Sequence, residues 1–288
     1  MRLGGARESG NVEDRRGFGM PGGGMAVGGG CGTVVLVILA LVFGLDPRQL
    51  LDSGAGGPAQ GPPPAARQQQ GQQQADEASQ FVRRVLGTTE DTWNEIFKNN
   101  RSQYREPTLV LFSGQVQSAC GRATASVGPF YCPGDEKVYI DLSFFDDLRS
   151  RFRAPGDFAQ GYVIAHEVGH HVQNLLGTSD KVTQLQRRAR SEAQSNDLSV
   201  RLELQADCYA GVWGFYAKQR NMLDPGDLEE ALGAASAIGD DRLQRESGGR
   251  VVPDSFTHGS SDQRMRWFRA GFEAGDLRRC DTFNTGRL

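Results

Sequence analysis

Residues 156–177 read Gly156-Asp-Phe-Ala-Gln-Gly-Tyr-Val-Ile-Ala-His-Glu-Val-Gly-His-His-Val-Gln-Asn-Leu-Leu-Gly177. Apolar residues recur along this stretch at helical spacing: Phe158, Tyr162, Val163, Ile164, Val172 and Leu175. Asp157 follows Pro155-Gly156 and offers an N-cap, and Gly177 supplies a stop. The stretch predicts one long helix from Asp157 to Leu176. In its middle lies His166-Glu167-Val168-Gly169-His170. Side chains at i and i+4 share a helix face, so both imidazoles can reach one ion. Glu167 is rotated to one side, where it can touch a water bound to that ion. The apolar surroundings imply burial, and two buried imidazoles on adjacent turns are costly without a partner.

This is the arrangement in which histidines hold a zinc ion and the ion acidifies its water, with Glu167 as the base that moves the proton. The extended metzincin form needs Gly at 173 and His at 176; Gln173 and Leu176 exclude it. A third ligand must therefore come from farther along. His171 points about 100° away from His170, which places it at the surface or behind the ligands. A helix predicted over Leu198–Lys218 offers Glu203-Leu-Gln-Ala-Asp207, a carboxylate pair at i and i+4. Small residues beside it (Ala206, Ala210, Gly214) let another helix approach closely. His258 lies in a turn-like Thr-His-Gly-Ser-Ser, a place from which it can stabilise an oxyanion.

Around these motifs the chain reads as α+β, mainly helical with a small sheet, over residues 76–288. Ala75 to Leu86 is amphipathic, and Thr88 or Thr89 can cap a second helix through Trp93, Ile96 and Phe97. Thr108–Phe112 and Lys137–Asp141 have strand length and β-rich composition. Tyr139 and Asp141 sit on a strand that can run beside the metal helix and pair with an extended peptide. Another helix starts near Asp227, and Ser260 with Gln263 has capping-box spacing. Arg187-Arg188-Ala-Arg190 reads as a solvated helix face. Four of five cysteines (Cys120, Cys132, Cys208, Cys280) fall in this region. Cys120 and Cys132 flank a Gly-rich segment and are expected to be bridged, which leaves Cys208 for Cys280; buried free thiols are the alternative.

The leader is different in kind. Residues 1–27 are polar and Gly-rich without periodicity; the run Cys31–Leu45 carries no charge and, with Met25–Gly30 before it, is long enough to cross a bilayer, which predicts a transmembrane helix over 28–46. Residues 47–75, rich in Gly, Pro and Gln, read as a flexible linker. A single retained transmembrane helix is expected, a cleaved signal peptide being the alternative. Arginines on the N-terminal side place the N-terminus in the cytoplasm and the 76–288 domain outside. With 32 basic against 35 acidic side chains, the chain has no basic surplus for nucleic acid. Its mean hydropathy of −0.48 excludes a multi-span transporter.

Residues 156–177 resemble the neutral zinc metallopeptidase family of bacterial membrane proteins. So do Glu203-Leu-Gln-Ala-Asp-Cys-Tyr-Ala-Gly-Val-Trp213, Phe256-Thr-His-Gly-Ser-Ser-Asp-Gln-Arg-Met-Arg-Trp-Phe268 and Asn11-Val-Glu-Asp-Arg-Arg-Gly17. The resemblance implies a zincin-like domain with a gluzincin-type ligand set, His166, His170 and Glu203 on Zn2+, and Glu167 as base. It also implies that Asp207 hydrogen-bonds a ligating histidine from behind. The function expected is hydrolysis of a peptide or protein substrate by a membrane-anchored enzyme. A zinc-stabilised binding or scaffold module is the alternative. Oligomeric state is left open.

Overall fold

The computed structural model describes residues 1–16, 65–286 and 288. Its first elements are a short strand, β1 (Val12–Asp14), and a long helix, α1 (Ala65–Asn99). Five strands follow: β2 (Thr108–Phe112), β3 (Gln115–Ser118), β4 (Gly121–Thr124), β5 (Phe130–Cys132) and β6 (Lys137–Asp141). The rest is helical: α2 (Ser143–Ser150), α3 (Asp157–Leu175), α4 (Thr178–Gln186) and α5 (Glu192–Gln219). After these come α6 (Asp227–Ala237), α7 (Asp240–Glu246) and α8 (Ser261–Ala274). The α+β class and the two long strands are as the sequence predicts.

The main sheet has the order β1-β2-β6-β5, with β3 and β4 forming a separate antiparallel hairpin. β2 and β6 pair in parallel, Thr108 opposite Lys137 through Phe112 opposite Asp141. Both are almost wholly buried, as the continuous apolar run of a central parallel strand requires. β6 lies between β2 and β5, so over Lys137–Tyr139 its backbone is already paired on both sides and is not free to take up an extended peptide. Tyr139 and Asp141 are occupied within the fold: the Tyr139 hydroxyl donates to Asp135, and Asp141 accepts from the backbone of Gly114 and Ser143.

The largest departure from expectation concerns the N-terminus. Met1–Gly17 and Ala75–Leu288 make one compact unit, whereas the sequence reading set residues 1–27 apart from the domain. β1 pairs in parallel with β2, Val12 opposite Leu109 through Asp14 opposite Leu111. Leu3 is buried in the core. The Met1 ammonium lies 2.7 Å from both Asp157 oxygens and 3.4 Å from Asp227. Glu90 on α1 has no exposed surface, and residues of the leading segment satisfy it. Its Oε1 accepts from Ser9 Oγ at 2.6 Å and from Asn11 Nδ2 at 2.9 Å, and Arg7 lies 2.7 Å from Oε2. Stripping such a charge of its partners costs about 3–5 kcal/mol. Gly87 marks the crossing point: a Cβ there would stand 2.6 Å from the Arg7 carbonyl oxygen.

α1 is one helix rather than two, and it begins inside the segment expected as linker. Ala and Gln are good helix formers, which suits the stretch from residue 65. Thr88 and Thr89 do not cap. Their buried hydroxyls donate back to the carbonyls of Val85 and Leu86, a bond available to threonine within a helix. Asp157 is the first residue of α3 rather than its cap; the Phe158 amide, which has no partner within the helix, instead donates to Glu230 Oε2 at 3.0 Å. Arg187, Arg188 and Arg190 are exposed but lie in the turn between α4 and α5. Among the described residues no helix is long and apolar enough to cross a membrane. The transmembrane run expected at 28–46 and the linker up to residue 64 lie outside the described residues.

Both expected disulfides are present. Cys120–Cys132 ties the end of the β3–β4 region to β5, and Cys208–Cys280 ties α5 to the C-terminal segment. Thiol titration of the denatured, unreduced protein should find none of these four cysteines free, and two reactive thiols at Cys120 and Cys132 would contradict the pairing. The Gly87 contact makes a prediction of unusual sign. In an open helix Gly→Ala stabilises by about 1 kcal/mol. Here Gly87→Ala should destabilise by about 1–3 kcal/mol, because the new methyl group collides with the Arg7 backbone. Denaturant unfolding of both proteins measures this, and a more stable variant would refute the packing.

Candidate metal centre

α3 and α5 face each other at Gly169, where a Cβ would come within 3.0 Å of the Ala206 carbonyl oxygen. This is the close approach that the small residue Ala206 was expected to permit. It brings His166 and His170 from α3 against Glu203 from α5. One donor atom from each of these three residues lies within 4.8 Å of the others. His166 Nε2 is 3.2 Å from Glu203 Oε2, and His170 Nε2 is 3.4 Å from Glu203 Oε1.

The far sides of both rings are held. His166 Nδ1 lies 2.8 Å from Asp207 Oδ1, so Nδ1–H donates there and Nε2 is the ring atom that faces Glu203. His170 Nδ1 lies 2.9 Å from Gln173 Oε1, which fixes the same tautomer. Gln173 is itself anchored, donating to the Leu202 carbonyl at 2.6 Å and to Gln205 Oε1 at 3.2 Å. Two imidazole Nε2 atoms and one carboxylate, each ring braced from behind, is a donor set that fits zinc with a position left for water.

Asp207 has no exposed surface and accepts from three residues. Besides His166, the Tyr162 hydroxyl donates to Oδ1 at 2.6 Å. Arg264 on α8 donates through Nε to Oδ2 at 2.8 Å and through Nη2 to Oδ1 at 2.9 Å. Burial alone would raise the Asp207 pKa, but the Arg264 and His166 charges and their hydrogen bonds bring it down to about 2. Burial would likewise lower the pKa of His166, yet Asp207 and Glu203 outweigh it and raise it to about 10. Carboxylates on both sides of this ring make the pocket one that demands positive charge.

Glu167 and His258 open on the same cleft, a volume of about 580 Å³ that His166, His170 and Glu203 also line. Phe130, Phe144 and Phe152 give part of its wall an apolar character. The His258 ring is half exposed, with Nδ1 3.2 Å from Asp240 Oδ1. The other Asp240 oxygen accepts the backbone N–H groups of Thr257, His258 and Gly259 at 2.7, 2.7 and 3.1 Å. The hydrogen bond to Asp240 raises the His258 pKa against the opposing effect of burial.

His171 has no part in this site. Its ring is fully buried, Nε2–H donating to the Arg105 carbonyl at 2.6 Å and Nδ1 accepting from the Tyr131 hydroxyl at 3.0 Å. It fastens α3 to β5 instead of lying at the surface or behind the ligands. Sequence reasoning missed Gln173, Asp240 and Arg264. Gln173 was in view at a deciding position, one turn from His170, where a long polar side chain can reach back to the ring. The other two carry no local signal.

The chain is 52% identical over 287 residues to the uncharacterized protein YpfJ of Escherichia coli strain K12, across 98% of this chain and 99% of that protein. It is 44% identical over 223 residues to the uncharacterized protein Mb2605 of Mycobacterium bovis, across 74% of each. No solved structure matches the chain. A family model described as "Putative neutral zinc metallopeptidase" matches residues 1–283, and the chain belongs to that family.

Proposed function

We propose that this protein hydrolyses peptide bonds of peptide or protein substrates in the cleft that His166, His170 and Glu203 line. The observation that carries this reading is the place of Glu167. It opens on the cleft beside three converged donors without being one of them, a residue that a purely structural ion would not require.

In this reading His166 Nε2, His170 Nε2 and a Glu203 oxygen hold the ion. Zinc, when bound, supplies an acidified water and polarises the scissile carbonyl. Glu167 accepts the water's proton and delivers it to the leaving nitrogen as the carbon–nitrogen bond breaks. One water is consumed, and a carboxylate and an amine are released. His258, held beside Asp240 at the cleft, donates to the carbonyl oxygen as negative charge develops there. Asp207 and Gln173 keep both imidazoles in the tautomer that presents Nε2, so the ligands need no reorganisation. The same reading puts the domain outside the cytoplasm, attached through the apolar run at 28–46. Two disulfides support an oxidising compartment.

Because Met1–Arg16 belongs to the domain, the assays need the full-length protein. Turnover of quenched peptides should stop with a chelator and return with zinc. Glu167→Gln should lower kcat by about 10²–10⁴-fold while zinc content stays unchanged, the range lost with a general base. Undiminished turnover in that variant would sink the proposal. Metal analysis separates the two carboxylates of α5. Glu203→Ala should be purified without zinc, whereas Asp207→Ala should bind it about 10–100-fold more weakly, the usual cost of an outer partner. Full zinc in Glu203→Ala with none in Asp207→Ala would reverse their roles.

A further inference from the structure

We infer that Met1–Arg16 and the 76–288 domain lie on the same side of any membrane to which the protein is attached. The inference is independent of the peptidase reading. An apolar run that crosses a bilayer once leaves its two flanks on opposite faces. That is the topology which the charge distribution of the leader predicts, with residues 1–27 inside and 76–288 outside. The fold does not admit it, because the first sixteen residues are a component of the domain.

Three separate contacts carry this. β1 is hydrogen-bonded into the sheet beside β2, Leu109 N donating to the Asn11 carbonyl at 2.8 Å and Arg15 N to the Leu111 carbonyl at 2.8 Å. Glu90, fully buried on α1, has Arg7, Ser9 and Asn11 as its partners. Gly87 leaves the gap through which the Arg7 backbone crosses α1. Without the leading segment Glu90 would lose the partners that satisfy it in the interior, so the segment is part of the domain's packing. Exchange of the segment between two copies does not restore a single crossing, since each copy has the same topology. The disulfides Cys120–Cys132 and Cys208–Cys280 place the shared side outside the cytoplasm, where thiols are oxidised. The leader's arginines therefore do not mark a cytoplasmic tail. Arg7 is committed to Glu90 and Asp91, which removes it from a positive-inside count.

Cysteine labelling of the full-length protein in intact cells tests the inference. Gly10→Cys and Gly233→Cys are made separately with Cys31→Ser, so that each protein carries one free thiol. Both glycines are exposed, with no atom within 4 Å of an added Cβ, so neither change disturbs the packing. A membrane-impermeant maleimide is applied before and after detergent permeabilisation, with the Cys31→Ser parent as blank. The expected result is equal labelling of both proteins before permeabilisation. Labelling of neither before and both after would uphold the shared side and overturn its placement outside. Labelling of Gly233→Cys in intact cells, with Gly10→Cys reactive only after permeabilisation, would overturn the inference.

Discussion

A carboxylate with no exposed surface must be paired, and Asp207 is paired with Tyr162, His166 and Arg264. The three partners come from two helices, so the bonds made by one side chain on α5 fix α3, α5 and α8 relative to one another. In a low-dielectric interior each such bond is strong, and loss of one partner strands the others. Arg264 is essential to the balance of charge. Without a buried guanidinium, Asp207 and Glu203 would place two carboxylates around one imidazole. With it, Asp207 stays ionised and orients His166, and Glu203 is left to face the cleft.

Backbone proximity makes this network geometrically feasible. α3 meets α5 where Gly169 faces Ala206, and α5 meets α8 where a Cβ on Gly271 would stand 1.9 Å from the Cys208 carbonyl oxygen. The disulfide from Cys208 to Cys280 anchors the same stretch of α5, and Gln205 donates to the Cys280 carbonyl at 3.0 Å. Through Gln205 and Gln173, that anchor reaches His170. Both histidines are therefore positioned by helices locked at their closest points, not by loops. His258 is the exception, and its loop is drawn onto Asp240 by three backbone hydrogen bonds.

What could be read from the sequence was whatever depends on spacing. The i and i+4 histidines, the Glu203/Asp207 pair, the two apolar strands, the Ser260–Gln263 capping box and both cysteine pairs all stand where periodicity and composition put them. What escaped depends on contacts between distant residues. β1 has three residues, Val-Glu-Asp, too short and polar to alternate, and its partner β2 lies far along the chain. Arg264 sits in a helix with other charged residues, and its burial follows only from where Asp207 is. Thr88 and Thr89 have the composition of a cap, yet buried in a continuous helix they bond backwards. Asp157 likewise resembles a cap, but an ammonium group claims it and Glu230 serves the helix terminus.

The central claim is that two histidines and one carboxylate make up the protein's share of a zinc site. X-ray absorption at the zinc edge, on the full-length protein loaded with one equivalent, tests it most directly. The account predicts a first shell of nitrogen and oxygen at about 2.0–2.2 Å with the multiple-scattering signature of two imidazoles. A sulfur neighbour near 2.3 Å, or an imidazole count other than two, would contradict it.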